Sequence, residues 1–144
     1  MSKPHGWQLD RASYPFGHLT ETRFADLDLL GHINNVSMAG LFEHGRGMFN
    51  HDIEVERRAP GQRWLIVRVE INYLAESFFP APVDIASGIG RIGTSSWDIA
   101  SAAFQNGKCV ATCMTTIVLT NDHGPSPIPQ DLREEFERLR AQSA

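Results

Sequence analysis

The chain reads as an α+β domain in which one antiparallel sheet packs a face onto a single long helix. Three observations predict it. Apolar residues recur at spacings of three and four between Met38 and Phe49, the period of an amphipathic helix. From Trp64 to Thr120 the pattern changes to alternation interrupted by turn residues. Within that stretch Asn106-Gly107 is a strong hairpin signal, so the strands on either side of it run antiparallel.

Taken in order, His18 to Asp28 alternates loosely and reads as a first strand leading into a loop. Asn34 or Asn35 is a natural N-cap, and the stripe of Met38, Leu41, Phe42, Gly45, Met48 and Phe49 carries the helix to about Asn50. Gly40, Gly45 and Gly47 each cost roughly 1 kcal/mol relative to alanine in an exposed helix interior. Their presence implies close packing against another surface, or else an early, frayed end at Gly45 and Gly47. His51 to Gly61 is charged and turn-rich, an exposed loop.

Trp64 to Tyr73 is a strong strand. Leu65, Val67, Val69, Ile71 and Tyr73 share a wholly apolar parity, while Ile66, Arg68, Glu70 and Asn72 form a mixed one. Phe78-Phe79-Pro80-Ala81-Pro82 is a connection, because neither proline can donate to a ladder. Val83 to Ile92, Trp97 to Gln105 and Lys108 to Thr120 complete five strands, with a turn at Gly93-Thr94-Ser95-Ser96. A charged helix from about Gln130 to Arg140 closes a single domain spanning residues 1–144. One sheet of this kind leaves its other face and two edges to be covered, so self-association is expected.

Composition narrows the function. The chain is 42% hydrophobic and 21% charged, an ordinary globular balance, and its formal charge of −4 argues against general nucleic-acid binding. The N-terminus lacks the apolar core of a secretion signal, and no stretch approaches the ~20 apolar residues of a membrane span. A cytoplasmic protein without membrane contact is expected. Cys109 and Cys113 would share a strand face about 13 Å apart, too far to bridge, and read as buried reduced thiols.

Chemistry concentrates between Arg23 and Asn35. There a strand-like run ends in Asp26 and Asp28, turns at Gly31, and meets His32, Asn34 and Asn35 at a helix start. A carboxylate beside unpaired helix amides supplies the two elements needed to attack a carbonyl and hold its developing charge. With a reference pKa of ~3.9, Asp28 would be ionised at neutral pH, able to attack directly or to draw a proton from water. It could equally be a turn-forming acid that bonds nearby amides. Asn34 and Asn35 could seat an oxyanion or simply cap the helix. His32 could bond substrate, orient Asp28 or close the loop, and Glu43 could position water or form a surface salt bridge. Asp26 reads as structural.

These residues resemble the hotdog-fold acyl-thioesterases, in the branch related to 4-hydroxybenzoyl-CoA thioesterase and to acyl-CoA and acyl-carrier-protein thioesterases. The shared pattern is Arg23, Asp26-x-Asp28, Gly31-His32-x-Asn34-Asn35, then Phe42-Glu43-His44-Gly45-Arg46 on the helix. It extends to Gly93-Thr94-Ser95-Ser96, the Asn106-Gly107 hairpin and the proline-rich exit before the last helix. The resemblance implies a five-stranded antiparallel sheet wrapped around the long helix, a short C-terminal helix, and homodimers or homotetramers with sites between subunits. It implies hydrolysis of an acyl thioester, with coenzyme A favoured over carrier protein as the thiol carrier and present only as part of the substrate. Asp28 matches the catalytic aspartate, and the Asn35 amide an oxyanion donor. In a related branch a helical glutamate takes the catalytic part, the precedent for Glu43. Gly31, Asn34 and Met38 fall at the pocket, and Ser95 or Ser96 could supply a hydroxyl from a neighbouring subunit or be plain turn residues. One departure is Met38, where many relatives carry tyrosine. Two alternatives share the fold: a hydratase or dehydratase acting on acyl thioesters, and a non-catalytic acyl-thioester binder.

Other chemistries have little support. Neither a His-x-x-x-His helix pair nor a Cys-x-x-Cys pair is present, so no metal is expected, and no Gly-x-x-x-x-Gly-Lys loop appears. Gly88-Ile89-Gly90-Arg91-Ile92-Gly93 spells a dinucleotide fingerprint but leads into a strand rather than a helix. Arg57, Arg58, Arg63 and Arg91 are candidate contacts for coenzyme A phosphates, or ordinary solvated arginines.

Overall fold

The computed structural model describes residues 3–142; Met1, Ser2, Ser143 and Ala144 of the expected domain lie outside the described residues. Strand β1 (Phe16–Thr20) is followed by helix α1 (Asn35–Asp52) and the single-turn helix α2 (Val55–Arg58). Then come β2 (Arg63–Tyr73), β3 (Val83–Ile92), β4 (Ser96–Gln105) and β5 (Lys108–Asn121), the two-residue β6 (Gly124–Pro125) and helix α3 (Gln130–Arg138). The strands are antiparallel in the order β1-β3-β4-β5-β2, with β6 folded back on β5. The sheet curls around α1, and the architecture is the hotdog fold the sequence predicts.

Two boundaries differ from the sequence reading, and the end of α1 agrees with it to within two residues. β1 stops at Thr20, and Phe24–Asp26 form a 3-10 turn instead of continuing the strand. The cause is Asp26, whose carboxylate folds back to accept from the Arg23 amide and guanidinium. α1 does not fray at its glycines but runs to Asp52. The expected loop after it contains α2, tied to α3 by Arg58, which pairs with Asp131 at 2.7 Å and Glu135 at 3.4 Å.

The glycines of α1 divide into two kinds. A Cβ on Gly45 would stand 2.4 Å from Cγ2 of Ile85, so Gly45 allows α1 to approach β3 closely. A Cβ on Gly40 or Gly47 would meet no heavy atom within 4 Å. Opposite outcomes are therefore expected in urea denaturation. Gly45→Ala lowers stability by about 1–3 kcal/mol through overpacking, whereas Gly40→Ala raises it by up to about 1 kcal/mol through helix propensity.

α1 packs over β1, β3 and β4. Its apolar stripe splits between two core clusters: Met38, Leu41 and Phe42 meet Ile85 and Ala103, and Phe49 meets Ile89, Trp97 and Ile117. α3 completes the second cluster through Phe136, whose ring lies 4.8 Å from that of Trp97.

Of three register shifts among the described residues, at Val67, at Val110 and between Ile89 and Ile92, the first two overturn the parity expected for β2 and for the cysteines. Ile66 pairs with Ile117 but Arg68 with Thr116, which leaves Val67 as an extra residue. An inserted residue switches the face of everything beyond it. Trp64 and Ile66 therefore share the helix-side face with Val69, Ile71 and Tyr73, while Leu65 moves to the outer face. Because α1 lies over β1, β3 and β4, β2 stays open: Ile66 is 50% exposed, Val67 60%, Val69 46% and Tyr73 47%. A second bulge at Val110 separates the cysteines. Cys113 joins the helix-side core and Cys109 packs with Tyr14 and Phe104 on the outer face, so they do not share a face as the strand period predicts. Both thiols are free, and burial raises the pKa of each. Among the described residues no helix is long and apolar enough to cross a membrane.

Candidate active site

The segment between β1 and α1 is held as a small hairpin. Leu27 bridges Ile33, the Asp28 amide donates to the His32 carbonyl at 2.8 Å, and the Gly31 amide donates to the Asp28 carbonyl at 3.2 Å. Gly31 sits at φ +80°, a conformation glycine adopts without the Cβ penalty. The turn aims local amides at the Asp28 side chain. Its Oδ1 accepts from the Leu30 amide at 2.8 Å and the His32 amide at 3.1 Å. The His32 amide is the main influence on the carboxyl group; with Leu30 and the nearby imidazole it outweighs desolvation, the next in size, and holds the pKa below the usual aspartate value. Both bonds fall on Oδ1, so Oδ2 is the atom open to water or a carbonyl carbon.

Helix α1 begins immediately beyond. Asn34 is its N-cap, accepting from the Ser37 amide at 2.8 Å. Asn35 is the first helical residue, and its carbonyl accepts the Tyr73 hydroxyl at 3.0 Å, which ties β2 to the helix start. Among the described residues the Asn35 and Val36 amides carry no hydrogen bond, as expected for the first helical turn, where the dipole also favours negative charge. Asp28, His32, Asn35, Met38, Tyr73 and Glu76 line one cavity of about 320 Å³. Asp28 and Asn35, the first residue of α1, therefore line one space.

Contacts behind the cavity fix this arrangement. His32 places Nε2 3.3 Å from Glu76 and its ring edge-on to Phe78, and its backbone bridges Phe78. Phe78 is in turn held by the buried Gln105, which accepts from the Phe78 amide at 2.8 Å and donates to the carbonyls of Phe78 and Ala81 at 2.7 and 3.0 Å. Asp26 is buried, and its backbone carbonyl accepts from the Asn34 amide. Desolvation pushes its pKa up, but bonds from Arg23 and Ser37 together win and leave it lowered.

A depressed carboxyl pKa stabilises the fold at pH values above the unfolded aspartate pKa of ~3.9, and that stabilisation disappears as pH falls through the folded value. Asp26→Asn should then cost about 1–3 kcal/mol at pH 7. The gap from wild type should narrow below about pH 4, measured as denaturation midpoints across pH.

Not every sequence candidate reaches this cavity within one chain. Glu43 lies on the exposed face of α1, and Arg46 of the same motif is buried, donating to Thr115 Oγ1 at 3.1 Å. Ser95 and Ser96 sit at the β3–β4 turn, at the opposite end of the sheet, where Arg91 donates to the Ser96 hydroxyl at 3.2 Å. Of the arginines, Arg57 pairs with Glu54, Arg58 with the α3 acids and Arg91 with Asp98. Arg63 is exposed and has no ion pair among the described residues. Tyr73, Glu76 and Gln105 are not among the sequence candidates. Only a polar head ending the apolar run at Tyr73 hints at any of them.

A family model described as the thioesterase-like superfamily matches residues 22–136, a span that includes the Asp28 turn, α1 and the strands from β2 to β5. The chain belongs to the thioesterase-like superfamily. Among solved structures, this superfamily member is similar to a predicted thioesterase from Bacillus stearothermophilus, at 29% identity and a TM-score of 0.77 over 90% of this chain and 98% of the other. A thioesterase superfamily protein from Jannaschia sp. CCS1 is 27% identical, with a TM-score of 0.77 over 85% and 81%. A thioesterase from Thermus thermophilus, complexed with coenzyme A and Zn, shares the fold at 24% identity, with a TM-score of 0.78 over 92% and 98%. A comparison with curated proteins returned no match.

Proposed function

We propose that this thioesterase-like protein hydrolyses an acyl-CoA thioester at the start of α1, as a member of the 4-hydroxybenzoyl-CoA thioesterase-like branch. The observation that carries the reading is the shared cavity, which Asp28 lines together with Asn35, whose backbone amide is unpaired. The carbonyl carbon sits by Asp28 Oδ2 and its oxygen by the Asn35 amide. Asp28 either takes a proton from water as that water attacks, or attacks the carbonyl itself to form an anhydride that water then opens. In both routes the carbonyl oxygen gains negative charge, which the helix amides receive, and the intermediate expels the thiolate.

His32, paired with Glu76, positions the Asp28 turn through its backbone. Ile33, Met38 and Val110 supply an apolar wall for the acyl group. Coenzyme A as thiol carrier is supported by the Thermus relative. The open β2 edge supports a homodimer as the working unit.

Incubation with a saturated and an α,β-unsaturated acyl-CoA tests this reading. Thiol release from the saturated substrate is expected. Consumption of the unsaturated one without thiol release would identify a hydratase instead.

A further inference from the structure

A second cavity, of about 570 Å³, opens at the far end of α1 and shares no lining residue with the Asp28 cavity. Asn35 and Asn50 stand about 22 Å apart along the helix axis, at about 1.5 Å per residue. Gly47, Asn50 and His51 of α1, Glu54 to Arg57 around α2, and Trp64 near the start of β2 form its walls. Gly47 keeps the space clear, since a Cβ there would meet no heavy atom within 4 Å.

The lining selects the chemistry of an occupant. Asn50 Oδ1 is buried without a hydrogen-bond partner among the described residues, and an amide oxygen can only accept, so it calls for a donor from outside the chain. Glu54 is neutralised by its pair with Arg57, but Glu56 has no ion pair among the described residues and leaves one carboxylate uncompensated. The C-terminal end of the 18-residue α1 adds partial negative charge beside it. Trp64 is partly buried against the Phe49 core cluster and brings an indole, the side chain with the strongest attraction for a cation. The imidazole of His51 offers a further acceptor nitrogen in its neutral form. A cation with N–H donors answers all of these, whereas an anion would meet Glu56 and the helix end. Among the described residues no group of three His, Cys, Asp or Glu side chains could hold a metal ion, which leaves an organic cation.

We propose that this cavity binds a small organic ammonium ion with an apolar body. Its N–H groups donate to Asn50 Oδ1 and the Glu56 carboxylate, and its body lies on Val55 and Trp64. The site is separate from the Asp28 cavity and does not rest on the hydrolytic reading.

An NMR titration of the full-length protein with phenethylammonium chloride, beside the neutral phenethyl alcohol, tests the assignment. The ammonium is expected to shift the amides of Asn50, Val55 and Glu56 saturably while those of Leu30 and His32 stay in place. It should bind about tenfold more tightly than the alcohol. Glu56→Gln, on the exposed face of α2, should weaken the ammonium about threefold and leave the alcohol unchanged. Gly47→Leu fills the space and favours the helix, so binding should be lost while the same spectra show the fold intact. No saturable shift with the ammonium, equal affinity for both probes, indifference to Glu56→Gln, or undiminished binding to a folded Gly47→Leu protein would each overturn the site.

Discussion

Asp28→Asn leaves the chain folded and lowers the turnover of acyl-CoA by about 10²–10⁴-fold, the range associated with loss of a general base. The substitution is close to isosteric, and an asparagine Oδ1 still accepts from the Leu30 and His32 amides, so the turn before α1 persists. What disappears is the charge and basicity of Oδ2. Substrate binding should change far less than turnover, because the apolar wall and the Asn35 amide are untouched. The amides around Asp28 also fix its pH behaviour. With a pKa held below the usual aspartate range, the carboxylate stays ionised as pH falls from neutrality, and the acid limb of the wild-type profile should lie below about pH 4. In the variant that limb should vanish, as a steady-state pH series would reveal.

Gln105→Ala is expected to have the largest effect on the site without touching it. Its amide group holds three backbone atoms of the connection between β2 and β3: the Phe78 amide and carbonyl and the Ala81 carbonyl. Each partly buried group left unpaired costs about 1–3 kcal/mol, less wherever water enters the vacated space. A loss of about 3 kcal/mol is a reasonable sum. Phe78 bridges His32, and His32 closes the Asp28 turn, so activity should fall along with stability. Gln105→Glu discriminates between the two effects. It retains the acceptor for the Phe78 amide but aims a second oxygen at two carbonyls, and should damage the loop almost as much as alanine. Urea midpoints and kcat measured on both variants would show whether stability and turnover move together.

The period of the sequence reveals the elements well, because a helix and a strand differ in which residues they bury. Met38 to Phe49 can form one face only as a helix, and the Asn106-Gly107 hairpin ties β4 to β5. The period cannot reveal the bulges at Val67 and Val110, since a single inserted residue leaves composition unchanged while reversing every side chain beyond it. That is why simple alternation runs the apolar parity of β2 through Leu65 and places both cysteines on one face. The Asp28 turn is legible because its parts are local: Gly31 takes a positive φ, and the amides that bond Asp28 lie two and four residues away. Gln105 is 27 residues from Phe78, and Tyr73 is 38 residues from Asn35. No local signal joins such pairs; the fold does. Glu43, Ser95 and Ser96 illustrate the same limit in reverse, since their candidacy rests on resemblance and the single chain sets them apart from the Asp28 cavity.

The most direct measurement of hydrolysis at this helix start is a single-turnover reaction with protein in excess over an acyl-CoA, followed by mass spectrometry of the quenched mixture. Protein in excess separates binding from chemistry. With wild type, the thioester should be replaced by free acid and coenzyme A, while Asp28→Asn at equal occupancy should hold it intact over the same interval. Equal cleavage by both proteins, or saturable binding by wild type with no cleavage at all, would contradict the assignment of Asp28 and the Asn35 amides as the hydrolytic site.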